Sequence, residues 1–266
     1  MNLTALVLRF TAPLFCLLPL AALQVGAADA TPAAKMSIRS ADVWDITPDP
    51  SLPNVLILGD SISIGYTRSV RARLAGRANV FRPLDSTRTK AANCQDTHFG
   101  LAHLDAWLSG HRWDVVHFNW GLWDLCYRNP VVQNSGNRDK VGGKIAVPVE
   151  VYSRNLDQLV SRLLATGAVL VWASTTIVPD DEPGRFKGDD RRYNAAAAAV
   201  MARHRIVIND LHAVSATFRP DLFRAPSDVH PTEAGAEKLA AVVAEAVSEA
   251  FTRRPANPRG QPLVSP

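Results

Sequence analysis

A serine early in the chain and a histidine late in it are the residues whose surroundings indicate chemistry most clearly. Ser61 directly follows a short apolar run, residues 55–58, and a Gly-Asp pair. His230 lies near the other end of the chain, two positions after Asp228. A serine hydroxyl and an imidazole that accepts its proton are the groups that acyl transfer requires. We therefore take Ser61 as a candidate nucleophile and His230 as a candidate general base.

The elements that must position these residues follow an alternating pattern. The apolar run before Ser61 is typical of a buried strand, which delivers a side chain to the carboxyl edge of a sheet. Strands are predicted at 55–58, 79–81, 115–118, 168–172 and 206–208, and helices at 64–74, 99–108, 151–164, 191–204 and 232–251. This alternation predicts an α/β fold, a three-layer α/β/α sandwich with a flavodoxin-like, five-stranded parallel sheet.

Two segments are longer than a plain connection between strand and helix needs. Residues 128–148 are polar and rich in Gly and Asn, and residues 179–190 are mixed in charge. Both follow predicted strands, so we expect both at the sheet edge where Ser61 lies. Long loops at such an edge usually shape a binding site.

The two ends of the chain differ from its middle. Residues 1–30 resemble a secretory signal peptide, with an uncleaved N-terminal anchor as the alternative. Residues 31–53 are predicted to be a linker or N-terminal arm, residues 54–252 the single domain, and residues 253–266 a disordered tail. The expected location is therefore secreted or periplasmic, with no membrane span after signal removal.

The distribution of charge and of possible metal ligands in the sequence indicates which partners and ions to expect. The chain has 29 basic and 25 acidic residues, a net charge of +4, and no block of Lys and Arg typical of a nucleic-acid surface. The histidines other than His230 have no metal-ligand spacing to nearby Cys, Asp or Glu. We therefore expect neither a nucleic-acid partner nor a metal, and the sequence does not indicate an oligomeric state.

Four segments together resemble the SGNH (GDSL) hydrolase family. They are the nucleophile block at 59–63, a block at 93–97, a block at 119–124 and the histidine block at 228–231. The resemblance covers residues 54–251, nearly all of the predicted domain. It implies that Ser61 is the nucleophile, that its backbone N–H is one oxyanion donor, that His230 is the base, and that no cofactor is needed.

The sequence departs from the family pattern at two oxyanion positions. Gln95 stands where the family usually has a glycine whose N–H is the second donor. Trp123 stands in place of the usual donor asparagine, so either the Trp123 indole N–H or the Asn119 side chain is expected to replace it. Trp120 and Trp123 are also expected to form an aromatic wall for substrate, with core packing as the alternative.

The aspartate expected to orient His230 also departs from the family pattern in its sequence position. The family usually has an aspartate three residues before the histidine, where this chain has Ser227, and Asp228 is one residue closer. We expect Asp228 to orient His230, with a backbone carbonyl as the alternative. Arg192, near the start of the fourth predicted helix, is a candidate substrate-binding residue or a solvated helix start.

Two cysteines remain in the mature chain once residues 1–30 are removed. In an exported protein Cys94 and Cys126 form either a disulfide or two free thiols. In a flavodoxin-like sheet the second and third strands flank the first, so both cysteines are expected in loops at the active-site edge. The hypothesis is therefore a Cys94–Cys126 bridge that fixes the two oxyanion loops.

The sequence thus predicts an exported serine esterase that acts on a small-molecule or polysaccharide ester. The resemblance to secreted SGNH proteins favours removal of acetyl groups from carbohydrate. Two other classes stay open: a catalytically degenerate domain that binds glycan, and a lipase or thioesterase for longer acyl chains.

Overall fold

The five predicted strands form one parallel sheet in the computed structural model, which describes residues 44–134 and 136–253. The strands are β1 (Asn54–Leu58), β2 (Asn79–Phe81), β3 (Val115–Phe118), β4 (Tyr127–Arg128), β5 (Lys144–Ile145), β6 (Val169–Ala173) and β7 (Val207–Asn209). The helices are α1 (Ser61–Arg73), α2 (Thr97–Leu108), α3 (Val149–Leu164), α4 (Asp189–His204), α5 (Leu211–Ala216) and α6 (Glu233–Thr252). The sheet order is β2-β1-β3-β6-β7, which confirms the predicted fold class.

The core explains why these segments become strands and helices. β1 and β3 lie inside the sheet, and their apolar residues are almost fully buried because helices cover both faces. α1 and α5 pack against α6, whereas α3 packs between α2 and α4. Ser61 and the predicted loops therefore meet at the carboxyl edge of the sheet, above β1, β3 and β6.

Two parts of the structure differ from the pattern predicted by the sequence. The segment predicted as a loop at 128–148 contains the antiparallel pair of β4 and β5. Between β7 and α6 the chain forms α5 and a short 3-10 helix, Pro220–Leu222. Two-residue strands and single helical turns are too short to give a recognisable hydrophobic period.

The described part of the predicted N-terminal arm packs on the domain. The guanidinium of Arg68 lies 4.6 Å from the ring centroid of Trp44. Asp49 and Asn79 exchange two hydrogen bonds, of 2.9 and 2.8 Å, between backbone and side chain. The predicted signal peptide and residues 254–266 of the predicted tail lie outside the described residues. Within residues 44–134 and 136–253, no helix is both long and apolar enough to cross a bilayer.

A buried carboxyl group joins the loop after β3 to the start of α2. Oδ1 of Asp124 accepts hydrogen bonds from the backbone N–H and the hydroxyl of Thr97, at 2.9 and 2.6 Å. Asn155 of α3 donates to the same hydroxyl oxygen at 3.1 Å. Burial raises the pKa of Asp124 to about 8, although the hydrogen bonds from Thr97 oppose the increase. The carboxyl group therefore takes up a proton on folding at neutral pH.

This pKa predicts how stability depends on pH. The folded state binds more protons than the unfolded state between the ordinary aspartate pKa of 3.8 and about 8, so the free energy of unfolding falls as pH rises through that window. The contribution of one group is at most about 1.4 kcal/mol per pH unit. Asp124→Asn should remove it, as measured by urea unfolding at pH 5, 6, 7 and 8.

Asp105 provides the matched control, because its side chain is 86% exposed. Asp105→Asn should keep the wild-type dependence of unfolding free energy on pH. Parallel pH profiles for wild type and Asp124→Asn would contradict the assigned titration.

Candidate active site

The turn between β1 and α1 fixes the position of Ser61. Gly59 has a φ of 150°, and a Cβ there would lie 2.8 Å from the Ser63 hydroxyl, so a side chain does not fit. Asp60 caps α1 by accepting a hydrogen bond from the N–H of Ile62 at 3.0 Å. Ser61 is the first residue of α1. Its N–H therefore belongs to the helix terminus, where backbone donors and the helix dipole favour negative charge.

A buried arginine that the sequence analysis missed holds this turn in place. The guanidinium of Arg82 donates to the carbonyl of Gly59 at 2.5 Å and to the Ser63 hydroxyl at 2.7 Å. It also donates to the carbonyl of Ala92 at 3.1 Å, which lies just before the second family block. Arg82 is only 4% exposed, so it links the two loops from within the protein.

The structure brings Ser61, His230 and Asp228 into one hydrogen-bonded chain. The Ser61 Oγ lies 2.8 Å from Nε2 of His230, and Nδ1 of His230 lies 2.5 Å from Oδ1 of Asp228. The backbone N–H of His230 donates to the same carboxylate oxygen at 3.0 Å. With Nδ1–H donated to Asp228, Nε2 accepts the serine proton. This arrangement has the geometry of a nucleophile, a base and an orienting acid.

The charge of Asp228 is also favoured by its surroundings. Partial burial tends to raise its pKa, but the hydrogen bonds from His230 and the positive charge of Arg138 outweigh burial and lower it. An ionised carboxylate beside Nδ1 stabilises the imidazolium that forms when His230 takes a proton.

Two predicted oxyanion donors are already engaged in the structure. The Asn119 side-chain amide donates to the carbonyl of Ala173 at 2.7 Å and to the Thr175 hydroxyl at 3.3 Å. The N–H of Gln95 donates to the Asn93 side chain at 2.9 Å. Gln95 has a φ of 48°, a left-handed conformation that glycine adopts without strain. Neither Asn119 nor Gln95 therefore presents its N–H to Ser61 as predicted.

The two tryptophans of the third block have different environments. Trp120 is fully buried, packs on Gly100 and donates its indole N–H to the carbonyl of Cys94, so its prediction as a substrate-binding residue is wrong. Trp123 is half-buried and lines the cavity that contains Ser61 and His230. The guanidinium of Arg128 lies 4.5 Å from its ring centroid.

The structure does not bring Arg192, another predicted substrate-binding residue, to the cavity beside Ser61. Arg192 pairs with Asp189 at 3.2 Å on the exposed start of α4. It is not among the residues that line the cavity beside Ser61.

The predicted disulfide is not formed. Cys94 and Cys126 are both buried free thiols. The Cys94 backbone is fixed to β1 by a hydrogen bond to the carbonyl of Gly59. The Cys126 thiol instead faces the carbonyl of Tyr127, at 3.6 Å, and packs beside Gly184.

A cavity of about 530 Å³ opens beside the Ser61 hydroxyl. Its lining comprises Asp60, Ser61, Asn93, Leu122, Trp123, Arg128, Gly136, Arg138, Arg185, Arg224, Asp228, Val229 and His230. The four arginines were not predicted as site residues. Their positions after strands, in the two long polar segments and just before the histidine block, are the sequence signal that could have identified them.

The side chains of the described residues offer no metal centre. No group of three or more His, Cys, Asp and Glu residues in that part of the chain is arranged to hold an ion.

The family model of the GDSL-like lipase/acylhydrolase family matches residues 57–238, more than half of the chain. The chain therefore belongs to this family, and the class that the fold and the family define is that of the ester hydrolases. The comparison with curated proteins gave no match.

Solved structures share the fold at low sequence identity. An acetyl xylan esterase, AlAXEase, is 14% identical with a TM-score of 0.56, over 73% of this chain and 99% of that chain. A lipase/acylhydrolase from Enterococcus faecalis is 17% identical with a TM-score of 0.56, over 74% and 96%. A GDSL-like lipase from Bacteroides thetaiotaomicron is 14% identical with a TM-score of 0.52, over 80% and 96%. These similarities establish the fold and leave the substrate open.

The position of the orienting acid gives a direct test of the site. Asp228→Asn should lower kcat/KM for an ester about 100- to 10,000-fold, because the amide cannot hold Nδ1–H and stabilise the imidazolium as a carboxylate does. Ser227→Ala changes the position where the family usually has the acid and should leave kcat/KM within about twofold of wild type. Steady-state kinetics on p-nitrophenyl acetate measure both variants. A large loss for Ser227→Ala with little loss for Asp228→Asn would refute the assignment.

Proposed function

We propose that this protein is an exported serine esterase that removes acyl groups, with acetyl favoured, from carbohydrate esters. The observation that carries the proposal is the hydrogen-bonded chain from Ser61 Oγ through His230 to Asp228. Export is proposed from the signal-like pattern of residues 1–30.

The geometry supports a two-step acyl transfer. Ser61 Oγ attacks the ester carbonyl carbon while Nε2 of His230 takes the hydroxyl proton, and Asp228 stabilises the resulting imidazolium. The tetrahedral oxyanion collapses, the bond to the alcohol oxygen breaks, and His230 returns the proton to the leaving alcohol. Water, deprotonated by His230, then attacks the acyl-enzyme and releases the acid and the free serine.

The oxyanion needs donors where its charge develops. The N–H of Ser61 is suited to this role because it lies at the N-terminus of α1. We assign the second donor to the indole N–H of Trp123, because Trp123 lines the same cavity and the amides of Asn119 and Gln95 are already engaged.

The character of the cavity favours a polar substrate. Six of its thirteen lining residues are Asp or Arg, and the lining includes one half-buried aromatic ring; aromatic rings commonly pack against the apolar faces of bound ligands. A long acyl chain would have to lie against guanidinium groups, which argues against a lipase or thioesterase. The acetyl xylan esterase with the same fold is a reason to test acetylated carbohydrate first.

One observation favours a second candidate, a glycan-binding domain without catalysis. Two of the backbone or side-chain amides expected to hold the oxyanion donate elsewhere. Loss of one oxyanion donor typically lowers the rate about 100- to 1000-fold. The experiment below separates the two candidates.

The central prediction is that Ser61 reacts covalently. A fluorophosphonate should label the wild-type protein at one site, and intact-mass and peptide analysis should place the label on Ser61. Ser61→Ala should abolish both labelling and hydrolysis of p-nitrophenyl acetate, because the attacking oxygen is gone. His230→Ala should lower both rates about 1000-fold or more.

Ser69→Ala is the matched control, since Ser69 lies further along the same helix; it should keep wild-type rates. A series of p-nitrophenyl esters from acetate to decanoate should show kcat/KM falling with chain length. Absence of both labelling and hydrolysis in the wild-type protein would overturn the esterase and favour the glycan-binding candidate.

A further inference from the structure

Four guanidinium groups surround the cavity beside Ser61. They are contributed by Arg128, Arg138, Arg185 and Arg224. The residues come from three separate segments of the chain: the first two from the β4–β5 region, the third from the segment before α4, and the last from the segment before His230. Because three separate segments contribute to the cluster, packing within one loop does not account for it.

The carboxylates in and around the cavity do not balance this positive charge. Glu182 is fully buried and accepts from both Arg138 and Arg185, at 2.9 and 2.7 Å. Asp228 is engaged with His230. Burial raises the pKa of Asp60 despite its neighbouring cations, which disfavours its charged form. The four arginines therefore leave a net positive field in the cavity.

The arginines differ in how firmly they are held. Arg185 is 5% exposed and also donates to the carbonyl of Leu122 at 2.7 Å, so its orientation is fixed. Arg128 is held over the ring of Trp123 and donates to the carbonyl of Gly136. Arg224 is exposed, and its Nε donates to the carbonyl of Pro231 at 3.3 Å, directly after His230. The Arg224 side chain is therefore held next to the segment of the base, at the cavity wall.

From this cluster we infer that the substrate ester carries an anionic group, a carboxylate or a phosphate, close to the scissile bond. The inference deepens the proposed esterase function and rests on it. Guanidinium groups bind planar carboxylate and tetrahedral phosphate oxygens through paired N–H donors. The cavity has a volume of about 530 Å³, so the arginines and Ser61 face the same small space. The anionic group and the ester must therefore lie on the same small part of the substrate, such as one acetylated uronic acid residue. The guanidiniums bind the anion and orient the ester carbonyl toward Ser61.

A matched set of substrates tests the inference. The esters are methyl glucuronide, methyl glucoside and methyl glucoside 6-phosphate, each carrying one acetyl group at the same hydroxyl. The wild-type kcat/KM should be at least about tenfold higher for an anionic ester than for the neutral one, since hydrogen bonds to charged groups are worth about this much or more. The preference should shrink as salt rises from 0.05 to 0.5 M, because screening weakens it. Comparison of the two anionic esters shows whether the site takes carboxylate or phosphate.

Arginine variants connect the preference to the cavity. Arg224→Gln and Arg128→Gln should each lower the ratio of kcat/KM for the preferred anionic ester over the neutral ester by about tenfold. Arg219→Gln removes the same charge from a side chain that is 79% exposed and lies outside the cavity lining. It should keep the wild-type ratio. Urea unfolding of each variant controls for loss of the fold.

Calorimetric binding separates failure of this inference from failure of the esterase proposal. Titration of wild-type protein with unacetylated methyl glucuronide, methyl glucoside 6-phosphate and methyl glucoside measures anion preference without catalysis. If no ester is hydrolysed but an anionic sugar binds at least about tenfold more tightly, the anion site stands and the esterase fails. Equal kcat/KM for the anionic and neutral esters overturns the anion site. If no ester is hydrolysed, equal affinity for the anionic and neutral unacetylated sugars overturns it as well.

Discussion

The hydrogen bonds of Arg82 are the interaction on which the site depends most. Its guanidinium joins the carbonyl of Gly59, the hydroxyl of Ser63 and the carbonyl of Ala92 inside the protein. These groups belong to the end of β1, the first turn of α1 and the loop after β2. Removing the guanidinium would take a charged donor from all three groups, and the carbonyl of Gly59 would keep only the N–H of Cys94, so the loss of hydrogen bonding inside the protein would be costly. The position of Ser61 at the start of α1 therefore depends on a side chain that does not touch the substrate.

The rest of the site is assembled around that fixed serine by segments with separate structural supports. His230 enters from the loop before α6 and is held through Asp228, which accepts from its ring and its backbone. The loop after β3 is tied to α2 by Asp124 and Thr97. Buried Glu182 holds two of the cavity arginines. The structure thus combines a serine at the start of a helix, an imidazole held by a carboxylate and a cavity wall that carries four arginines.

The sequence predicted those parts of the structure that depend on local pattern. The run before Ser61 and the helix after it are visible as an apolar strand and a helix start, and the sheet follows from the alternation of such segments. Gln95 shows where the family pattern fails: its φ is 48°, and the Asn93 side chain, two residues earlier, accepts a hydrogen bond from its N–H in a local turn. Trp120 was assigned from its place in the third block and the cysteine bridge from the expected sheet order, but all three side chains are buried and the two thiols are free. The arginines lie in three distant segments that follow strands or precede the histidine block, so their places in loops are visible in the sequence, but their meeting at one cavity depends on the fold.

Ser61 is proposed as the attacking group, with the oxyanion at the N-terminus of α1. A crystal structure of the protein after reaction with a methyl fluorophosphonate measures both directly. The expected result is a covalent bond from phosphorus to Ser61 Oγ, with the phosphonyl oxygen about 3 Å from the Ser61 backbone nitrogen and the Trp123 indole nitrogen. A phosphonyl oxygen directed away from the start of α1, or phosphorus bonded to another residue, would contradict the account.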